Sequence, residues 1–308
     1  MTAPSTGVVD LLTIGETMVL FTPPPGGALQ LDDAVTVSAG GAESNVAIAA
    51  AARGLRTAWY SRIGGGVLGE LVLGSVTRHQ VDTSWVRVDA GHPTGVMIKD
   101  PGAAGSRVQY YRTGSAASTM SAADLRQPPP ARVGPSSGIM ARISPSCRDL
   151  LGRLVAGALA PARVSFDVNY RPALWSSSNE AGQVLRELAV AADIVFVGRD
   201  EAEALWGTST AEQIRDLFPD VPTLVVKDGA VEAVEFSGST CVRVPAHVVD
   251  VVEPVGAGDA FAAGWLSGLL RGDPAYRRLW AAHDAAATVL RSHTDQAPLT
   301  APIPGDHQ

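Results

Sequence analysis

Val255-Gly256-Ala257-Gly258-Asp259-Ala260-Phe261 joins a β-branched run, Val248 to Val252, to a segment of different periodicity. There Phe261, Trp265, Leu266, Leu269 and Leu270 recur at the spacing of one helix face. The stretch predicts a strand, a glycine turn and a helix opening at Asp259. Free N–H groups at a helix start, unobstructed by side chains, form a site for an anion. A carboxylate beside a bound phosphate is electrostatically unfavourable unless chemistry requires it. Accepting a proton from a hydroxyl that attacks phosphorus is such chemistry. The turn therefore predicts a phosphoryl-transfer site. An aspartate at this position has a competing role as a helix N-cap. The Gly-Ala-Gly clearing, which a cap does not need, favours catalysis.

Working outward, strands and helices alternate. Val8 to Ile14, Thr57 to Ile63, Arg163 to Val168, Asp193 to Val197 and Val221 to Lys227 read as strands. Ser44 to Arg53, with Ser44 at its start and Gly54 after its end, reads as a helix. So do Leu68 to His79, Pro145 to Leu159, Glu180 to Val190 and Tyr276 to Arg291. This order implies a mostly parallel sheet covered on both faces. Two strands around Thr94 to Lys99 and Arg107 to Arg112 form an expected hairpin that breaks the rhythm and would project as a small lid. Pro23 to Gly27 and Gln127 to Pro135 read as surface loops.

The chain has 308 residues, 46% of them hydrophobic, enough for a substantial core. Its net charge is −7 with no basic block, which argues against nucleic acid or an anionic membrane as the main partner. Cys147 and Cys241 make neither a disulfide framework nor a short-spaced metal pair. Met1 to Gly7 lacks a basic signal-peptide start, and Asp10, Gly15 and Glu16 interrupt the apolar run to Phe21. A soluble cytoplasmic protein is expected.

The Gly-Ala-Gly-Asp stretch resembles the C-terminal signature of the ribokinase-like, or PfkB, sugar kinases. Gly40-Gly41-Ala42-Glu43-Ser44-Asn45-Val46-Ala47 resembles their N-terminal signature, with Asn45 in the place of a sugar-contacting asparagine. The resemblance runs from about Asp10 to Pro298, and two signatures in the right order are more specific than either alone. It implies a three-layer α/β/α sandwich with a mostly parallel central sheet. One kinase domain over residues 1–308 is expected, with a β lid from about 17–38 and 93–113. It also implies ATP and magnesium as cofactors, leaves a monovalent cation open, and suggests a homo-oligomer, dimer or higher.

Two further stretches, Phe166-Asp167-Val168-Asn169-Tyr170-Arg171-Pro172 and Tyr110-Tyr111-Arg112-Thr113-Gly114-Ser115, resemble those of 2-keto-3-deoxygluconate kinases. Alternate strand residues share a face, so Tyr110 and Arg112 point together, as do Asp167 and Asn169. A guanidinium fork matches a carboxylate, which a neutral sugar lacks. The resemblance thus implies phosphorylation of the 6-hydroxyl of a keto-deoxy sugar acid. Gly40, Gly41, Asn45, Tyr110, Arg112, Asn169 and Arg171 would hold the substrate. Asp259 would be the base, ionised without special tuning, and the amides of Gly256, Ala257 and Gly258 the anion hole. Structural alternatives stand beside these roles: Arg171 paired with Asp167, and Arg112 as a solvated edge charge.

On the nucleotide side the resemblance places Lys227-Asp228-Gly229, with Gly229 a better candidate than Lys227, a possible surface charge. Gly256, Gly258 and His283 complete that side, although helix packing competes for His283. Glu201 would act near magnesium through water, or be a solvated helix start. Departures from the family pattern are Glu253-Pro254 for Asp-Thr, Gly66 for aspartate, Gly198 for asparagine and His283 for asparagine. A fructokinase or other neutral-sugar kinase, and a non-catalytic sugar- or nucleotide-binding relative, are the alternatives. Gly64, Gly66 and Gly69 spell a dinucleotide-type G-x-G-x-x-G, but Asp82 is not visibly at the end of a second strand.

Overall fold

The computed structural model describes residues 7–24, 29–102, 105–125, 128–159, 161–252 and 254–292. Its strands are β1 (Val9–Ile14), β2 (Met18–Thr22), β3 (Thr36–Gly40), β4 (Thr57–Gly64), β5 (Val86–Asp89), β6 (Val96–Gly102) and β7 (Gly105–Tyr111). There follow β8 (Ala131–Ser137), β9 (Val164–Asp167), β10 (Ile194–Gly198), β11 (Thr223–Asp228), β12 (Glu232–Ser237) and β13 (Thr240–Pro245). The helices are α1 (Ala42–Ala51), α2 (Val67–Thr77), α3 (Pro145–Val155), α4 (Ser178–Val190), α5 (Arg199–Trp206), α6 (Ala211–Leu217), α7 (Ala257–Arg271) and α8 (Ala275–Leu290).

Nine strands form the large sheet in the order β13-β12-β11-β10-β9-β8-β1-β4-β5. Pairing is parallel from β11 through β5, and β12 and β13 add an antiparallel edge. Consecutive residues on these strands bury on opposite faces, which explains the near-continuous apolar runs. Leu12, Phe166, Val195, Val197 and Leu224 pack with α3, α4, α5 and α6. Leu11, Val133, Ile194, Phe196 and Val225 pack with α1, α7 and α8. Burying each such side chain contributes roughly 1.5–3 kcal/mol. The result is a three-layer sandwich.

A second, four-stranded sheet has the order β3-β2-β6-β7, with Met18, Leu20 and Met97 as its small core. This is the expected lid, built from both of the expected segments. Local signals set several helix ends. Ser144 accepts the Cys147 N–H at 3.1 Å with Pro145 opening α3, and Gly272, at φ +82°, ends α7.

Three expectations need correction. The segment Gln127 to Pro135 is not a surface loop throughout, because Ala131–Ser137 is a buried central strand. Val248 to Val252 is not a strand, and Val248 is 99% exposed. Ser44 does not cap α1; Gly41 holds that position, and the buried Ser44 hydroxyl donates to the Gly41 carbonyl at 3.0 Å. Glu253 and the tail after Pro298 lie outside the described residues. Among the described residues no helix is long and apolar enough to cross a membrane.

Candidate active site

β1 lies between β4 and β8, so the chain leaves it first in one direction and later returns on the other side. In open α/β sheets the crevice outside the strand ends at such a switch point is where ligands bind. Here it receives the ends of β8 and β9 and the starts of α1 and α7. A cavity there is lined by Glu43, Ser137, Asp167, Asn169 and Asp259, among others.

Asp259 sits in the first turn of α7, whose N-cap is Gly256 at φ +82° and which has no side-chain cap. Its partner is instead Asn45, whose Nδ2 donates to Asp259 Oδ2 at 2.9 Å. The two signatures, 214 residues apart, therefore meet side chain to side chain. A capping role for Asp259 finds no support in this geometry. Burial lifts its carboxyl to about 7; the Asn45 amide opposes the rise and the Asp167 charge adds to it. The expectation of a base ionised without tuning is corrected: it holds its proton up to near neutrality. Gly258 is clear of everything except Lys227, whose Nζ lies 3.8 Å from the place a Cβ would take. The Ala257 N–H is turned back onto the Pro254 carbonyl at 3.3 Å.

Lys227 is not a surface charge. Its side chain is 19% exposed, and Nζ donates to both Asp167 oxygens at 2.7 and 3.0 Å. Burial alone would pull the ammonium down, but Asp167, Glu201 and Asp259 outweigh it and raise it. Asp167 is thereby taken, so Arg171 does not pair with it. Arg171 is half-exposed, donating to the Tyr170 carbonyl at 3.1 Å, with Nη1 3.9 Å from Glu201. Nor is Glu201 a solvated helix start. Its carboxylate accepts the Gly198 N–H at 2.7 Å and the Tyr170 N–H at 2.8 Å, tying the loop after β9 to α5. Asn169, at φ +42°, is buried with its Oδ1 unpaired by the protein, as is Asn45 Oδ1. Buried polar atoms of this kind cost about 1–3 kcal/mol each, so two at one cleft mark where a ligand would supply partners.

Arg112 is not a solvated edge charge either. It follows β7, is 11% exposed, and its Nη2 lies 2.5 Å from Glu16 Oε2. Tyr110 packs on the lid core. Gly40 ends β3, and Gly41 is held against Glu16 and Thr17, whose backbone atoms fill the space a Cβ would need. Gly229 turns β11 into β12 at φ +48°, two residues past Lys227. His283 is buried in helix packing, its Nε2 3.1 Å from the Val244 carbonyl and its ring against Phe261. Gly66 caps α2 with open space where a side chain would stand. Gly198 holds the N-cap of α5 at φ −74°, and a Cβ there would sit 2.6 Å from Asp200 Oδ1. Asp82 bridges to Ala58 ahead of β5, not at its end, which removes the dinucleotide reading.

Sequence reasoning passed over Glu16 and Glu43. Glu16 interrupts the apolar run from Val8 to Phe21 and Glu43 opens an alanine-rich helix, each a readable signal of a buried, paired group. Glu43 is 3% exposed and accepts the Ser137 hydroxyl at 2.6 Å. Burial raises its carboxyl from 4.5 to about 7 against the lowering effect of Ser137. A carboxyl raised by folding stabilises most below pH 4.5, and that contribution is lost as pH climbs to about 7. The loss is on the order of 3 kcal/mol. Glu43→Gln is therefore expected to raise the melting temperature by several degrees at pH 8 and hardly at all at pH 4.5. Equal shifts at both pH values in a thermal melt would remove the ionisation account.

No group of three His, Cys, Asp or Glu among the described residues could hold a metal. With Glu201 on two amides and Asp167 on Lys227, the donor set fits a magnesium ion carried by phosphates and water, not a protein cage.

The pfkB family carbohydrate kinase model matches residues 9–302. The 2-dehydro-3-deoxygluconokinase of Bacillus subtilis (strain 168) is 34% identical over 272 residues, covering 86% of this chain and 84% of that protein. The 2-dehydro-3-deoxygalactonokinase of Haloferax volcanii is 31% identical and covers 94% of each. A crystal structure of a PfkB protein from Polaromonas sp. JS666 superposes with a TM-score of 0.83 at 31% identity, over 92% of this chain and 96% of that one. With the sheet order, the lid and the meeting of Asn45 with Asp259 already in place, the chain belongs to the pfkB family of carbohydrate kinases.

Proposed function

We propose that this protein is an ATP-dependent 2-dehydro-3-deoxygluconokinase that phosphorylates the 6-hydroxyl of 2-keto-3-deoxygluconate. The observation that carries the chemistry is Asp259, uncapped and held by Asn45 at the mouth of α7. The names of relatives at 31–34% identity over most of the chain support the substrate. Asp259 takes the hydroxyl proton as the oxygen bonds to the γ-phosphorus, and the bond from that phosphorus to ADP breaks. The Gly256 and Gly258 amides and the Lys227 ammonium face the charge on the moving phosphoryl group, while the Ala257 amide, expected to join them, is committed to the Pro254 carbonyl. Magnesium bound with the nucleotide would neutralise phosphate charge. Arg112 and Arg171 take the carboxylate, with Gly40, Gly41, Asn45, Tyr110 and Asn169 along the hydroxyl chain. Gly229 and His283 remain on the nucleotide side, His283 through packing. One kinase domain, a cytoplasmic location, self-association and the absence of a nucleic-acid or membrane partner complete the proposal.

A coupled ADP-release assay across 2-keto-3-deoxygluconate, its galactonate epimer, fructose and ribose tests it. The keto-deoxy acids should be turned over far better than the neutral sugars, and the reverse order would overturn the substrate reading. The half-exposed Arg171 gives a sharper check. Arg171→Ala should raise the KM for the keto acid by roughly tenfold or more while sparing weak turnover of fructose. Equal losses on both acceptors would leave Arg171 only the structural role it has toward Tyr170 and Glu201.

A further inference from the structure

The lid stands on four legs, and all of them meet at one residue, Glu16, that the mechanism does not use: one leg carries it, one packs on its backbone and two meet its side chain. Gly15-Glu16-Thr17 carries β1 into β2. The second leg is the β3–α1 junction at Gly41, whose missing Cβ would overlap the Glu16 carbonyl oxygen. The third is the approach to β6, where a Cβ at Gly95 would sit 2.8 Å from Glu16 Oε1. The fourth follows β7: Ser115 Oγ donates to Glu16 Oε1 at 2.5 Å, and Arg112 Nη2 meets Glu16 Oε2 at 2.5 Å. The Glu16 side chain is 1% exposed, so this is a fixed joint and not a surface ion pair.

The joint leaves Arg112 divided. Nη2 is engaged, while Nε is buried without an acceptor in the protein. A guanidinium is a rigid planar fork, so fixing one nitrogen sets the direction of the others. A second carboxylate beside the seat of a substrate carboxylate is unfavourable on charge alone. Its benefit must then be geometric. We propose that Glu16 is a positioning residue for acid recognition: by the reach of its side chain it orients Arg112 toward the substrate carboxylate and registers that orientation with the approach to β6 and the segment after β7, while its backbone packs on Gly41. The inference rests on the sugar-acid reading above.

Two conservative variants separate reach from charge. Glu16→Gln keeps the length, with its carbonyl accepting from Arg112 and its amide donating to Ser115. Glu16→Asp keeps the charge and withdraws it by one methylene. The readout is KM for 2-keto-3-deoxygluconate against KM for fructose and for ATP, with thermal melts confirming that each variant folds. Asp is expected to raise the keto-acid KM by about tenfold with the other two constants little changed, and Gln to stay within about threefold of wild type. Loss of discrimination in Gln as large as in Asp, or no change in either, overturns the proposal. The wild-type arm reports separately on the function: without a preference for the keto acid over fructose the substrate reading fails, and the role of Glu16 falls with it.

Discussion

Asp259→Asn is expected to lower kcat by about 10²–10⁴-fold, the range that loss of a positioned general base produces. The amide has nearly the shape of the carboxylate and can still meet Asn45, so the turn before α7 keeps its form. KM for ATP should therefore stay within a few-fold of wild type. The pH profile gives a second, independent reading. Burial, with Asp167 adding and Asn45 opposing, holds the Asp259 carboxyl at about 7. A base must have lost its proton before it can accept one. Wild-type kcat/KM should thus be high above neutrality and fall as pH drops through about 7. The residual activity of the Asn variant should lack that acid limb. Turnover within tenfold of wild type, or an unchanged acid limb in the variant, would take Asp259 out of the chemistry.

That carboxyl shows where sequence stops being informative. Asp259 and Asn45 were both legible as candidates because glycine clearings precede them, and glycine clearings are written in the chain. The elevation of the carboxyl was not legible, because it comes chiefly from burial in the folded cleft, with Asp167 and Glu43, which other strands and helices bring there, adding to it. The surface-charge alternative for Lys227 fails for the same reason. A lysine at a strand end next to a turn looks solvated, and only the parallel pairing of β9, β10 and β11 puts Asp167 within its reach. The βα alternation and the lid hairpin followed from periodicity alone. β8 did not, since Gly134 and Pro135 look like breakers. Yet the strand is flanked by β1 and β9 and buried on both sides, and tertiary burial overrides the local signal. Val248 to Val252 fails in the opposite sense. β-branched residues suit a pleated, half-buried surface, and among the described residues no strand pairs with that run. The structural alternatives for the two arginines, Arg112 as a solvated edge charge and Arg171 paired with Asp167, both fail. Glu16 holds one and the Tyr170 carbonyl the other.

Gly258→Ala separates fold from function most cleanly. Gly258 is the second residue of α7, and a methyl group there meets nothing closer than Lys227 Nζ at 3.8 Å. The substitution is sterically free. Alanine also favours the helix over glycine by about 0.5–1 kcal/mol. If Gly258 were only a helix residue, the variant would melt slightly higher and work normally. In the proposed mechanism the same methyl group projects between the first-turn amides and Lys227, where the moving phosphoryl group must sit. Turnover should then fall by at least about 100-fold, the scale of losing one aligned donor to a transition-state anion. The melting temperature should hold steady or rise. Thermal melts and ADP-release kinetics on one preparation measure both quantities. Full activity with raised stability would mean that the amides of α7 do not carry the phosphoryl group.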